Sequence, residues 1–417
     1  MSASFLGLIA SFPAWMNSRA FPLAPIASWF PILASPVDRI LFAAMLAALL
    51  AALWFYRVGV IFFLAASAFA FCEDQNRGQP WLYMYWVMLA MTLSSPAVAV
   101  ASCRVSLSVV YLWSGVQKLN EGFFEVIPSW FVAPAAGWHL PDPFIHALKW
   151  AVGSAPFLEV GIAVLLWLPR ARLVAIVSAL VLHGVSLIFL GPLGYNYNWV
   201  VWPWNAAMMA LVFGLFSNAG FFARALSNPE PARPAPANAK PSNPRKKQAK
   251  GSKPEPRPKP EDRTGVPTLV ATLREVWSSR SVLIVLLLSS LLPVFSFGGW
   301  WDSYFSFSLY AQNAAKANIF ITQSYADRLP PELRKYVQPF NVSYDPQHQG
   351  PLMLGFDPWC YEELHVPPIP EVRNFKAIFR SLRKYAQRPE ELRMVIGPRA
   401  GPVIFLEGDR VELLQRK

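Results

Sequence analysis

The sequence predicts an all-α polytopic membrane helix bundle, of about seven plus one transmembrane helices, carrying a small C-terminal α/β extramembrane domain. Three observations predict it. Hydrophobic residues make up 54% of the 417-residue chain and the mean hydropathy is +0.32, above the apolar share of soluble domains. Eight apolar stretches of near-spanning length recur along the chain. A proline-rich basic segment then separates the first seven of them from the eighth and from a C-terminal region of mixed pattern.

In residues 1–37 the first arginine is Arg19, so the basic start of a secretory signal is missing, and Pro13, Pro22, Pro25 and Pro31 interrupt the apolar pattern. This segment is expected to be retained and to lie in the membrane interface on Phe and Trp anchors. Residues 38–216 hold apolar stretches at 40–55, 58–71, 81–93, 97–116, 150–168, 173–190 and 200–216, read as seven helices, the second and third being short. Residues 217–281 contain eleven prolines between Pro229 and Pro267 among Ala, Ser, Lys and Glu, which cannot bury a core and read as a disordered basic tether. Residues 282–299 supply the eighth helix, followed by the paired tryptophans of "GGWWDSYFSF" at belt position. Within 300–417, strands are expected at 316–323, 392–397 and 402–409, and helices in "PELRKYV" and "EVRNFKAIFRSLRKYA".

The net charge of +12 does not point to nucleic acid, because of where it sits. Residues 1–216 carry 9 basic and 7 acidic groups, 217–281 carry 13 and 5, and 300–417 carry 15 and 13, giving surpluses of +2, +8 and +2. The excess therefore belongs to the linker, where a lysine-rich tether beside membrane helices is suited to anionic headgroups or to plain solvation. Short loops with Lys and Arg face the cytoplasm. That places the linker, Arg170, Arg172, Arg104 and Arg57 inside. The acidic "CEDQ" turn, the long 120–149 loop and the charge-free "GPLGYNYN" loop then fall outside, with Arg77 as the exception. The expected setting is a cell inner (cytoplasmic) membrane, multi-pass, with the C-terminal domain outside in a periplasmic position. Cys72, Cys103 and Cys360 are far apart and form no zinc or disulfide pattern.

Ionisable residues at membrane depth are costly and count as site candidates. Lys118 ends the fourth apolar stretch, and Tyr111, Ser114 and Lys118 share one helical face at intervals of three and four. Glu159 should lie about 13 Å below the outer surface, and His183 should approach mid-membrane from the opposite side. In "YNYNWVVWPWN", Asn198 stands at the outer mouth and Asn205 about two turns inside, just after Pro203, which loosens the backbone. These groups fit an outward-opening pocket in which Lys118 and Glu159 exchange protons, with Tyr111, Ser114, His183, Asn198 and Asn205 binding ligand. Against this, Lys118 at a helix end also fits an interfacial anchor, and Trp199, Trp202 and Trp204 fit belt and packing positions. In the C-terminal region Asp357, Cys360, Glu362, Glu363 and His365 cluster without metal-ligand spacing and read as a structural turn, and Asn341 begins an N-V-S sequon.

The stretches "SGVQKLNEGFF", "FLEVGIAVLLWLPRARL" and "HGVSLIFLGPLGYNYNWVVWPWN" resemble bacterial membrane proteins of the DoxX-like and HTTM superfamily, which includes the vitamin K-dependent gamma-carboxylase membrane domain. The resemblance covers residues 38–216 and leaves out the linker, the eighth helix and the C-terminal domain. Lys118 matches the lysine of its "G..KL" motif and Glu159 the glutamate ahead of its glycine. The resemblance implies a lipophilic, redox-active ligand, a quinone being the possible cofactor.

Two functions are therefore expected to compete. One is a membrane protein with an intramembrane pocket for a lipophilic, quinone-like small molecule, partnered by the lipid bilayer and not by nucleic acid. The other is a non-catalytic scaffold whose polar residues tie helices together while the outer domain binds a protein or envelope partner. Transport ranks third, since no inverted repeat is visible in the sequence.

Overall fold

The computed structural model describes residues 1–196, 198–217, 268–340 and 352–414. Most of the expected linker and the Asn341 sequon lie outside the described residues. All eight apolar stretches become helical: α2 (Val37–Ala51), α3 (Tyr56–Glu73), α4 (Pro80–Met91), α5 (Pro96–Lys118), the pair α7 (Asp142–Gly153) and α8 (Ala155–Leu165), α9 (Arg172–Leu190), α10 (Val201–Phe216) and α12 (Arg280–Phe295). Proline at the first or second position starts α4, α5, α7 and α8, where its missing N–H costs nothing.

By length and composition, four stretches are able to cross a membrane: Tyr56–Glu73, Pro96–Lys118, Arg172–Leu190 and Arg280–Gly298. The α7–α8 pair, bent by 49° at Ser154, makes a fifth if it is one broken span. Helices α2, α4 and α10 have 15, 12 and 16 residues. At about 1.5 Å per residue they fall short of a ~30 Å hydrocarbon core. The chain is thus a multi-pass membrane protein by its apolar helices, with four or five spans met by length.

Several boundaries differ from the sequence expectation, each for a local reason. The 120–149 loop is instead an antiparallel hairpin of α6 (Glu121–Val132) and α7. Asn120 caps α6 through its side chain, which accepts from Phe123 N at 3.0 Å. The tether ends before 281, because α11 (Leu269–Trp277) forms behind the Thr268 cap and buries Thr272 and Val276, one turn apart, near α5. Residues 1–37 do more than lie in an interface. Helix α1 (Ser2–Ala10) meets α2, α4 and α10, Trp15 is buried, and Phe21 packs at a tilt against Trp359 of the C-terminal domain, ring centroids 4.6 Å apart.

Arg77, the exception to the loop-charge pattern, is a structural cation. It is buried and ion-paired to Glu73 at 3.0 Å, and it donates to Ala14 O and Trp15 O. Asp74 pairs with Arg19 and accepts from Ala24 N, so the "CEDQ" turn is a knot that holds the N-terminal segment against the end of α3.

The C-terminal domain is a six-stranded antiparallel sheet in the order β2-β3-β1-β4-β5-β6, with β1 (Lys316–Ile321), β2 (Val337–Pro339), β3 (Leu352–Leu354), β4 (Leu392–Gly397), β5 (Val403–Glu407) and β6 (Arg410–Leu414). Its three longest buried runs, β1, β4 and β5, are those the sequence predicts. The three further strands are short or exposed and carry little alternation. Ile319, Met394, Ile396 and Leu406 turn inward with Trp359 of α15 (Phe356–Leu364) and Phe375, Ile378 and Phe379 of α16 (Val372–Leu382). "PELRKYV" supplies only a single turn, α14 (Pro331–Arg334), after α13 (Gln323–Arg328). This core is continuous with that of the bundle.

Candidate functional site

The "GVQKLN" stretch at the end of α5 builds the site residue by residue. A Cβ on Gly115 would stand 2.6 Å from Pro156 O and 2.8 Å from the Val160 side chain. Only glycine lets α5 and α8 approach this closely, and their crossing is the most extensive helix contact of the bundle. Gln117, fully buried, turns toward the domain: it donates to Ser296 Oγ at 3.0 Å and accepts from Arg399 Nη2 at 2.7 Å and Asn313 Nδ2 at 3.1 Å. Lys118 turns the other way, into the bundle. Asn120 caps α6 and donates to Ala311 O at 2.7 Å.

Because α5 and α8 lie so close, Lys118 Nζ reaches both oxygens of Glu159, at 2.8 and 3.0 Å. It also donates to Ser114 Oγ at 2.6 Å. Both partners are buried. The carboxylate neutralises the ammonium where water is scarce, so the pair is held together by the cost of separating it.

A second polar chain crosses from α5 to α9 and α10. Tyr111 OH stands 2.7 Å from His183 Nε2, and His183 Nδ1 stands 2.6 Å from Asn205 Oδ1. Asn205 Nδ2 donates to Val201 O at 2.7 Å, which fixes the amide with its oxygen toward the imidazole. A neutral His183 then donates from Nδ1 and accepts at Nε2, with the Tyr111 hydroxyl as the donor. The arrangement is a phenol hydrogen-bonded to an imidazole, itself oriented by an amide.

Both polar groups line one cavity of about 300 Å³. Its other walls are apolar: Phe123, Ile127 and Phe131 of α6, Leu158 of α8, and Phe189 and Met208. Phe307, Leu309 and Tyr310, from the loop that follows α12, also line it. Among the lining residues, Ala151, Ser154 and Val181 are exposed, at the α7–α8 break and on α9. The expected outward mouth is therefore lined by the domain loop, and the exposed wall lies at the α7–α8 break and on α9. Trp204 also lines the cavity, and among the described residues its indole N–H has no acceptor.

Tyr111, Ser114, Lys118, Glu159, His183 and Asn205 are thus brought together. Asn198 stands one step back: it is absent from the wall and donates to Tyr310 OH at 2.9 Å. Burial pushes the Tyr310 hydroxyl up from its ordinary value, with the Asn198 bond acting against it. The α6 wall was missed because its residues were read as loop, although Phe123, Ile127 and Phe131 recur every four positions. The Phe307–Tyr310 loop carries no sequence signal; its left-handed Phe307, Tyr310 and Gln312 are not glycines.

Three side chains of the Asp357–His365 cluster take separate partners. Cys360 is buried and donates to Val366 O at 3.3 Å, Glu363 accepts from Ala20 N at 2.9 Å, and Glu362 pairs with Lys335 at 2.9 Å. His365 packs against Trp199 at 4.6 Å. No group of three or more His, Cys, Asp or Glu able to hold a metal occurs among the described residues. No family model matches the chain, and no match is found among curated proteins or solved structures.

Proposed function

We propose that the bundle is a receptor for a lipophilic, quinone-like molecule drawn from the bilayer, with Lys118 and Glu159 handling its hydroxyl proton. The observation that carries this reading is the convergence of two hydrogen-bonded polar groups on one otherwise apolar cavity. At about 300 Å³ the space is at the lower end for small-molecule sites and suits a ring-sized head. An apolar tail would leave along the exposed Ala151–Ser154–Val181 side. Glu159 and the Tyr111 oxygen, whose proton goes to His183, are acceptors, and the unpartnered Trp204 N–H is a donor suited to a carbonyl oxygen.

On the same reading the chain is a DoxX-like or HTTM-type protein of the inner membrane with seven plus one spans and its C-terminal domain outside. The three short helices would then cross where the bilayer is locally thinned. Extraction of small molecules that copurify with the detergent-solubilised protein, compared by mass spectrometry between wild type and Lys118→Ala, tests the ligand. A near-stoichiometric quinone in wild type and none in the variant supports the reading, whereas equal amounts in both reject it.

The scaffold reading rests on a different observation. The Lys118 ammonium is already saturated by Glu159 and Ser114, as a purely structural pair would be. It is favoured if neither sample holds a ligand and the variant loses stability alone.

A further inference from the structure

A second cavity, of about 530 Å³, lies between residues 17–32 of the N-terminal segment and α16. It plays no part in the bundle site. Its cations are Arg19, Arg373, Arg380 and Lys384, and no carboxylate is in its lining. Arg19 is committed to Asp74 and Arg373 to Asp302. Arg380 on α16 and Lys384 in the turn just after it, both exposed and both in the lining, have no carboxylate partner among the described residues. Among the described residues Arg380 donates to Lys376 O, and Lys384 stands over the Tyr385 ring at 4.9 Å.

The opposite wall fixes the depth of this cavity. Ile26 N donates to Cys72 O at 2.9 Å and Gln75 N to Ala24 O at 2.9 Å, which ties the segment to the last turn of α3. Phe30 packs on Phe69 of the same membrane helix at 5.3 Å. The rim exposes Ile26 (45%), Trp29 (80%) and Ile32 (47%), an apolar group suited to a lipid surface. Cations without a carboxylate partner among the described residues therefore stand past the end of a helix long enough to span, beside exposed Trp and Ile side chains, the combination that suits a headgroup region.

We propose that this cavity binds the phosphate-bearing headgroup of an anionic phospholipid, with Arg380 and Lys384 on the phosphate and the 26–32 rim against the acyl chains. A zwitterionic lipid brings its own cation to the site and gains less. A free anion gains nothing from the rim.

The test uses the full chain in detergent micelles doped with phosphatidylglycerol, with phosphatidylcholine, or without lipid plus inorganic phosphate, and reads the thermal midpoint. Native mass spectrometry counts the lipid retained. Phosphatidylglycerol is expected to raise the midpoint of wild type by a few degrees beyond phosphatidylcholine, and inorganic phosphate is not. R380Q/K384Q should lose that difference and the retained lipid. R393Q/R410Q, which removes the same charge from the sheet, should keep both. An equal response to the two lipids in wild type overturns the proposal, as does a full response in R380Q/K384Q. A shift with inorganic phosphate as large as that with phosphatidylglycerol overturns the assignment to a lipid.

Discussion

Gln117 on the last turn of α5 accepts a hydrogen bond from Arg399 of the C-terminal domain at 2.7 Å, while its neighbour Lys118 faces the cavity. Two consecutive residues thus join the domain and the bundle site to one helix end. Arg399 also donates to Ser296 Oγ at 3.1 Å, so one guanidinium closes the junction between α5, α12 and the sheet. Burial lowers Arg399 to about 10, with Glu371 acting the other way, so it stays charged at neutral pH.

Arg399→Gln should therefore loosen the domain junction without removing a side chain that lines the cavity. A lost hydrogen bond to a charged group costs about 1.5–3 kcal/mol. Faster amide exchange is expected across 303–313, whose Asn313 shares the Gln117 hub. Unchanged protection there would mean that the domain is held by its apolar contacts alone.

Lys118 and Glu159 give a cycle with opposed outcomes. Lys118→Met or Glu159→Leu alone leaves one buried charge without its partner, at a cost of about 3–5 kcal/mol. The double variant should regain most of that loss, while copurifying ligand stays absent. Denaturation midpoints of the four proteins measure the coupling. A double variant that still holds its ligand would reject the proton-handling role and leave the pair structural.

Much of this site was legible in the sequence because membrane depth makes polar residues rare. Lys118, Glu159, His183 and Asn205 stood out against an apolar background, and the three-four spacing put Tyr111 and Ser114 with Lys118. The α6 wall was hidden because Pro128, Glu121 and Glu125 interrupt a run that is helical only once Asn120 caps it and α7 packs on it. The Phe307–Tyr310 lining was hidden for a different reason. Its place depends on contacts such as Asn198 to Tyr310, 112 residues apart, which no local pattern encodes.

Gly115 offers a test of the α5–α8 crossing. An alanine Cβ there meets a backbone oxygen, Pro156 O, at 2.6 Å, and backbone cannot swing aside as a side chain can. Gly115→Ala should cost about 1–3 kcal/mol through overpacking. It should also push Lys118 away from Glu159, so ligand retention falls with stability. Gly161 is the control, since a Cβ there meets nothing within 4 Å, and Gly161→Ala should be neutral or slightly stabilising. Equal behaviour of the two variants would contradict the close crossing.

Glu371 sets the pH response of the domain junction. It starts α16, accepts from Ser303 N at 2.7 Å, and burial raises it to about 7 from an ordinary 4.5. The Asp302 charge acts in the same direction as burial, and Arg373 acts against it. The folded state then binds a proton that the unfolded chain has released between pH 4.5 and 7, so stability falls as pH rises through that window. Asp357, also raised by burial and opposed by Lys316, adds a contribution of the same sign. Glu371→Gln removes the titration and should flatten most of the decline between pH 5 and 7.5, read as domain amide exchange or thermal midpoint. A wild-type profile that instead rises across this window, or one that Glu371→Gln leaves unaltered, would place the Glu371 carboxylate in contact with water.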